Sequence, residues 1–208
     1  MLQFTAAQFF DVFSRYNAAV WPAPVVAYLL GAVTVLAALS RHRAGSIVAA
    51  AVLGSFWAWT GIVYHWLAFA GINQAAWLFG AFFVVEALLL ASFAQQLQFN
   101  YRADLRSVVG LSFIAYAAVL YPLLGLAAGH AYPAMPMFGI TPCPLTIFTL
   151  GLLLLARRPR WPLLIVPVLW SLIGGSAAFL LHVPQDWLLL VSGPLALVLL
   201  WRARAAAG

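Results

Sequence analysis

Residues 74–96 read QAAWLFGAFFVVEALLLASFAQQ, and within them only Glu86 carries an ionisable side chain. A helix rises about 1.5 Å per residue, so about 20 consecutive apolar residues are needed to cross the hydrocarbon of a bilayer. This stretch meets that requirement. Six others of the same character lie near 22–40, 46–70, 107–127, 143–156, 162–182 and 187–201, the fifth in chain order (143–156) being the shortest. Across its 208 residues the chain is 66% hydrophobic and 7% charged, too little charge to coat a water-facing surface. The reading is an all-α integral membrane bundle of seven transmembrane helices.

The charges orient that bundle. The chain contains no lysine, and its arginines occupy alternate gaps: Arg41 and Arg43, with His42, after the first stretch, Arg102 and Arg106 after the third, Arg157, Arg158 and Arg160 after the fifth, and Arg202 and Arg204 after the seventh. The intervening gaps hold none. Arginine-rich connections stay on the cytoplasmic side, which predicts an outside N-terminus and a cytoplasmic C-terminus. If 143–156 did not span, the arginines flanking it would fall on opposite sides, so it is expected to cross. The net charge of +6 belongs to helix ends and forms no basic patch interleaved with aromatics, so nucleic acid is not an expected partner; the lipid bilayer is. With one cysteine, no intramolecular disulfide can form.

The chain divides into residues 1–20, an interfacial amphipathic N-terminal helix, and residues 21–204, the seven-helix domain. Phe4, Phe9, Phe10 and Phe13 alternate with Gln8, Asp11 and Arg15, which suits the membrane surface. No basic region precedes an apolar one there, so the segment is expected to remain in the mature protein. Trp21-Pro22-Ala23-Pro24 opens the first span, with proline tolerated in a first helical turn.

With topology drawn, the reactive side chains sort by side. Tyr64, His65, His130, Tyr132, Cys143, His182 and Asp186 gather at the outer face. Histidine and cysteine ligate zinc and copper ions, so His65, His130, Cys143 and His182 form a candidate metal set. No two share a short ligand spacing such as CxxC or HxxxH. The alternative is that each histidine ends a helix through hydrogen bonds and Cys143 is a small packed residue. The stretch from Gly129 to Pro144 holds four prolines, Pro144 included, with aromatic and sulfur side chains between them. It reads as an ordered cap folded over the bundle, with Thr141 as N-cap and Pro142 in the first turn of the following helix.

Glu86 is the ionisable residue nearest mid-bilayer, where such a group is expensive to place and marks a functional hypothesis by default. Counting to equal depth on other helices suggests Trp57, Tyr116 and Trp170 as neighbours, with Trp59 and Ser171. One reading is proton coupling or cation binding; the other is a neutral acid hydrogen-bonded to an indole or hydroxyl to fix packing. Trp57, Gly61, Tyr64 and His65 share one helical face, and Ser171, Gly174, Gly175 and Ala178 suit close helix contact.

Three segments carry a family resemblance: Trp59-Thr60-Gly61-Ile62-Val63-Tyr64-His65-Trp66, the run from Gly129 to Pro144, and Gly174 to Phe179 through Val183-Pro184-Gln185-Asp186. They resemble a bacterial multi-pass membrane family, a domain of unknown function whose members are loosely labelled permeases. The resemblance covers nearly the whole chain. It implies an inner-membrane location and supplies no cofactor, substrate or site residue.

The leading expectation is a permease for a small solute or ion, with an outward mouth and Glu86 as coupling acid. A membrane metal- or haem-binding redox protein and a structural or accessory subunit are the alternatives. The lack of lysine excludes a retinal Schiff base. There is no nucleotide-binding loop, and neither HExxH nor GxSxG occurs, which disfavours the enzymes those motifs mark. Neither a cofactor nor an oligomeric state can be read from the chain.

Overall fold

The computed structural model describes residues 4–40, 42–99, 101–158, 160–181 and 183–205. Those residues are all-helical apart from one isolated antiparallel bridge, Phe99 to Ala156. A short helix, α1 (Ala6–Ala19), starts at a capping box: the Thr5 hydroxyl accepts from the Gln8 amide, and the Gln8 side chain accepts from the Thr5 amide at 2.9 Å. After Val20-Trp21-Pro22 the chain bends by 84° into α2 (Ala23–Leu39). Then come α3 (Arg43–Gly71), α4 (Ala76–Phe93), α5 (Leu105–Ala127), α6 (Pro142–Leu155), α7 (Pro162–Leu181) and α8 (Pro184–Ala205). The seven helices α2–α8 fall on the seven apolar stretches of the sequence.

Among the described residues, five of these, α3, α4, α5, α7 and α8, are long and apolar enough to cross a membrane, or six if α1 and α2 are counted as one bent span. Helix α6 is the exception in length, 14 residues, or about 21 Å of rise. It is also the exception in burial, since every residue from Pro142 to Leu155 is inside. A helix that is apolar all round belongs at the centre of a bundle, and α5, α7 and α8 pack around α6. Its ends are covered by protein. On one side the cap residues Ile140 and Thr141 that lead into it are buried, and Phe138 sets its ring edge-to-face on Phe148 at mid-helix, at 4.9 Å. On the other the Arg157 amide donates to the Gln98 carbonyl at 2.7 Å.

Small residues permit the closest approaches. A β-carbon on Gly110 of α5 would lie 2.8 Å from the Gly151 carbonyl oxygen of α6, and one on Gly151 would lie 2.7 Å from that of Gly110. The two backbones are therefore in direct contact. Gly175 does the same between α7 and α8, where a β-carbon would lie 2.7 Å from Leu190 Cα. This is the role its spacing predicts.

Two spans depart from the expected α geometry. Thr60–Ala68 in α3 and Tyr116–Leu120 in α5 are π-helical. A turn closed by i→i+5 bonds brings residues five apart onto one face, and such segments recur at functional sites. The π turn in α5 ends just before Tyr121-Pro122. Proline there lacks an amide to donate and crowds the carbonyl four residues back, which disfavours the α ladder.

The segment 128–141 is an ordered cap, as its composition suggests. Met135, Phe138, Ile140 and Thr141 are buried. The Asn17 side-chain amide donates to the carbonyls of Pro133 (2.6 Å) and Met135 (2.8 Å), and the Tyr16 hydroxyl donates to Ile140 O (2.8 Å), so α1 is tied to the cap. One detail differs from expectation. Thr141 is the N-cap residue of α6, but its hydroxyl accepts nothing from the helix and donates back to Met137 O at 2.8 Å. Pro142 at the first position already removes one of the orphan amides such a cap would serve.

Candidate functional site

The end of the bundle read as its outer face contains a cavity of about 270 Å³. Helix α1 supplies Phe9 and Phe13, Phe4 comes from just before it, and α3 supplies Tyr64, His65 and Phe69. Phe79 comes from α4, Cys143 from the first turn of α6, Trp170 and Gly174 from α7, and Asp186 from the first turn of α8. The lining is overwhelmingly aromatic and aliphatic. Of the predicted outer-face residues, Tyr64, His65, Cys143 and Asp186 meet here.

His65 is the centre of an aromatic box. Its ring centroid lies 4.7 Å from Phe83, 5.1 Å from Trp170, 5.2 Å from Tyr64 and 5.9 Å from Phe79. The side chain is fully buried, and neither Nδ1 nor Nε2 has a hydrogen-bond partner. Trp170 Nε1 is likewise without an oxygen or nitrogen acceptor, with the Cys143 sulfur beside it. Most buried polar groups are paired, so three orphan nitrogens in one wall are a feature of the site. Thr60, five residues before His65 in the π segment, is also buried with an unpartnered hydroxyl.

Asp186 is supplied with partners. The Tyr121 hydroxyl donates to its Oδ1, the Cys143 thiol lies beside it, and it sits one residue before the α-helical run that begins at Trp187. The π turn in α5 explains how Tyr121 reaches it: Tyr116, five residues earlier, faces the same way and donates to Gln185 O at 2.8 Å. Sequence reasoning did not find Tyr121. Pro122 was the available signal, because a proline inside an apolar span predicts a break in the α register.

His130 and Tyr132 lie elsewhere. His130 stacks on Phe10 at 4.1 Å, with Nδ1 3.4 Å from Gln185 Nε2, and does not line the cavity. Burial lowers its pKa from the ordinary histidine value. Tyr132 is 44% exposed, its hydroxyl donating to Asn17 O at 3.3 Å. His182 lies outside the described residues, as does Arg41. Among the described residues, no three His, Cys, Asp or Glu side chains are grouped so as to hold a metal ion.

Glu86 is fully buried on α4, and neither carboxyl oxygen has a partner. Four of the five donors expected around it are engaged elsewhere, and the fifth, Trp170 Nε1, is unpaired beside the Cys143 sulfur. Trp57 Nε1 donates to Thr149 Oγ1 (2.9 Å), Trp59 Nε1 to Tyr16 OH (2.8 Å), Tyr116 to Gln185, and Ser171 to Val168 O (2.7 Å). Equal depth on another helix does not fix the direction a side chain points, and that is where the expectation failed. Glu86 lies about one turn along α4 from Phe83, whose ring packs 4.7 Å from His65 and 4.4 Å from Trp57.

Over residues 6–208 the chain matches a family of unknown function, DUF6064. No curated protein and no solved structure matches it.

Proposed function

Because the chain belongs to the DUF6064 family, whose function is unknown, we propose its activity from the chamber itself: a small permease of the bacterial cytoplasmic membrane. In this reading all seven helices α2–α8 span, the N-terminus is outside and the C-terminus is cytoplasmic. Residues 1–20 form an interfacial arm over the mouth, and residues 21–204 form the transmembrane domain. The arginine distribution supports the orientation. The short α6 is sheltered from lipid at both ends by protein, which is where a span shorter than the bilayer is tolerated.

The observation that carries the reading is the pairing of an outward chamber with a buried acid below it. The chamber is bounded by Tyr64, His65, Cys143 and Asp186, while Glu86 lies deeper with no partner to satisfy it. A lone intramembrane carboxyl needs either a proton or a cation, and exchanging one for the other is a means of coupling. Uptake of labelled small solutes into proteoliposomes at two external pH values tests this. Glu86→Gln should abolish the pH dependence of uptake while the protein still elutes as a folded species. Retained uptake with unchanged pH dependence sinks the coupling role.

A metal- or haem-binding redox protein has less support, since of its three described residues His65 and Cys143 line the chamber and His130 does not. Elemental analysis and an absorption spectrum of wild type and of the His65→Ala, His182→Ala double variant decide it.

A further inference from the structure

We propose that the chamber binds an uncharged aromatic molecule of roughly naphthol size through a single hydroxyl group, recognised by His65 and Trp170. The proposal rests on reading the chamber as the solute site and names the chemical class that it takes.

Size comes first. An apolar cavity of about 150 Å³ accommodates benzene, so one of about 270 Å³ accommodates a ligand of roughly ten non-hydrogen atoms. The walls then select for aromatic character. Phe13, Tyr64 and Phe69 form a run of near-parallel rings, with centroids 5.5 Å and 5.7 Å apart and interplanar angles of 16° and 13°. Phe79 and Trp170 stand edge-on to one another at 5.2 Å. Faces and edges so arranged favour an inserted ring over a flexible chain.

The polar end is set by what the wall leaves unpaired. A neutral imidazole has one donor and one acceptor nitrogen, and an indole has one donor. In His65 and Trp170 these groups are buried without oxygen or nitrogen partners, and the two rings are 5.1 Å apart. A hydroxyl matches the set: its oxygen accepts from the Trp170 N–H, and its hydrogen is donated to the free imidazole nitrogen. An ether or carbonyl could only accept, and a hydrocarbon would leave all three nitrogens unpaired.

The route in follows from the mouth. Phe4, Phe9 of α1, and Ile173 and Leu180 of α7 all line the cavity, and Ile173 (39%) and Leu180 (65%) are also exposed. A ligand dissolved in the outer leaflet would enter sideways between these helices.

The test compares 1-naphthol with naphthalene, which differ by the hydroxyl alone, by equilibrium dialysis against full-length protein in nanodiscs and against empty nanodiscs. Saturable one-site binding is expected, with 1-naphthol at least about tenfold tighter than naphthalene, as for a buried hydrogen-bonding site offered an analogue that cannot pair. His65→Phe and Trp170→Phe keep aromatic walls and should each bring the ratio toward one. If His65→Phe fails to fold, Trp170→Phe decides. Equal affinities in wild type, a ratio unchanged in Trp170→Phe, or a co-purified phospholipid that neither probe displaces each overturn the proposal. Discriminating binding without transport of 1-naphthol would leave the ligand class standing and remove the permease reading. Transport of other solutes without discrimination would do the reverse.

Discussion

Asp186 and Glu86 are both buried acids within candidate spans, and their surroundings are opposite. Asp186 receives the Tyr121 hydroxyl, has the Cys143 thiol beside it and sits at a helix N-terminus. Glu86 has no hydrogen-bond partner for either oxygen. Both positions look equally costly from hydropathy alone. The difference lies in whether the fold supplies donors. Where it does, the acid is part of the packing, and removing a donor leaves a stranded group. Where it does not, the acid contributes nothing to stability, and its retention asks for another reason.

Four measurements and one control break or sharpen that contrast. The largest effect is expected from Tyr121→Phe, which strands a buried carboxyl oxygen and should cost about 1–3 kcal/mol of stability, read from SDS-induced unfolding in mixed micelles. A loss below the error of the method would mean that Asp186 is satisfied some other way. Tyr116→Phe removes a bond to a backbone carbonyl and should cost about 1 kcal/mol by the same assay. Glu86→Gln removes no pairing and should change stability by less than about 0.5 kcal/mol. A loss of about 2 kcal/mol or more would reveal a partner and collapse the comparison.

The smallest effect concerns His130, outside the spans. Its folded-state pKa lies below the ordinary value, so the unfolded chain takes up a proton more readily. Stability should therefore fall as pH drops through the ordinary histidine range, and His130→Phe should flatten that part of the profile. An unchanged slope between pH 7 and pH 5 would show that the stacking on Phe10 does not oppose protonation. At the other end of the molecule, Asp104 serves as a control. Slight desolvation opposes it, but its bonds with Ser107 and the nearby Arg106 and Arg102 prevail, and its pKa is lowered. It is a surface N-cap of α5, so Asp104→Ala should cost about 1 kcal/mol whatever the outcome at Glu86. Asp104's contribution should be lost as pH falls below the ordinary carboxylate range.

Much of the architecture was legible in the chain because hydropathy acts over whole helices. Runs such as 74–96 and 162–182 average many residues, and no single contact can reverse them. The proline-rich run from Gly129 was legible as an ordered cap because restricted backbone and aromatic content coincide there. The site was half legible. Tyr64, His65, Cys143 and Asp186 share one end of the bundle, and topology places them there. The aromatic lining from the N-terminal arm was missed, since Phe4, Phe9 and Phe13 were assigned to the membrane surface and the fold turns them onto the cavity. Tyr132 and His130 share the same end yet stand apart from the cavity, because both sit on the cap segment, whose path over the bundle is set by contacts such as those with Phe10 and Asn17 and not by helical register.

By itself the sequence determined the helical class and the seven apolar stretches, since both follow from the free energy of transferring long segments between water and hydrocarbon. Only the tertiary structure decided which residues face one another. The π turn at Thr60–Ala68 has no breaker residue to announce it, the burial of α6 depends on its neighbours, and the isolation of Glu86 depends on donors that bond elsewhere. Those outcomes turn on single hydrogen bonds and contacts across helices far apart in the chain, and no local window of sequence contains both partners.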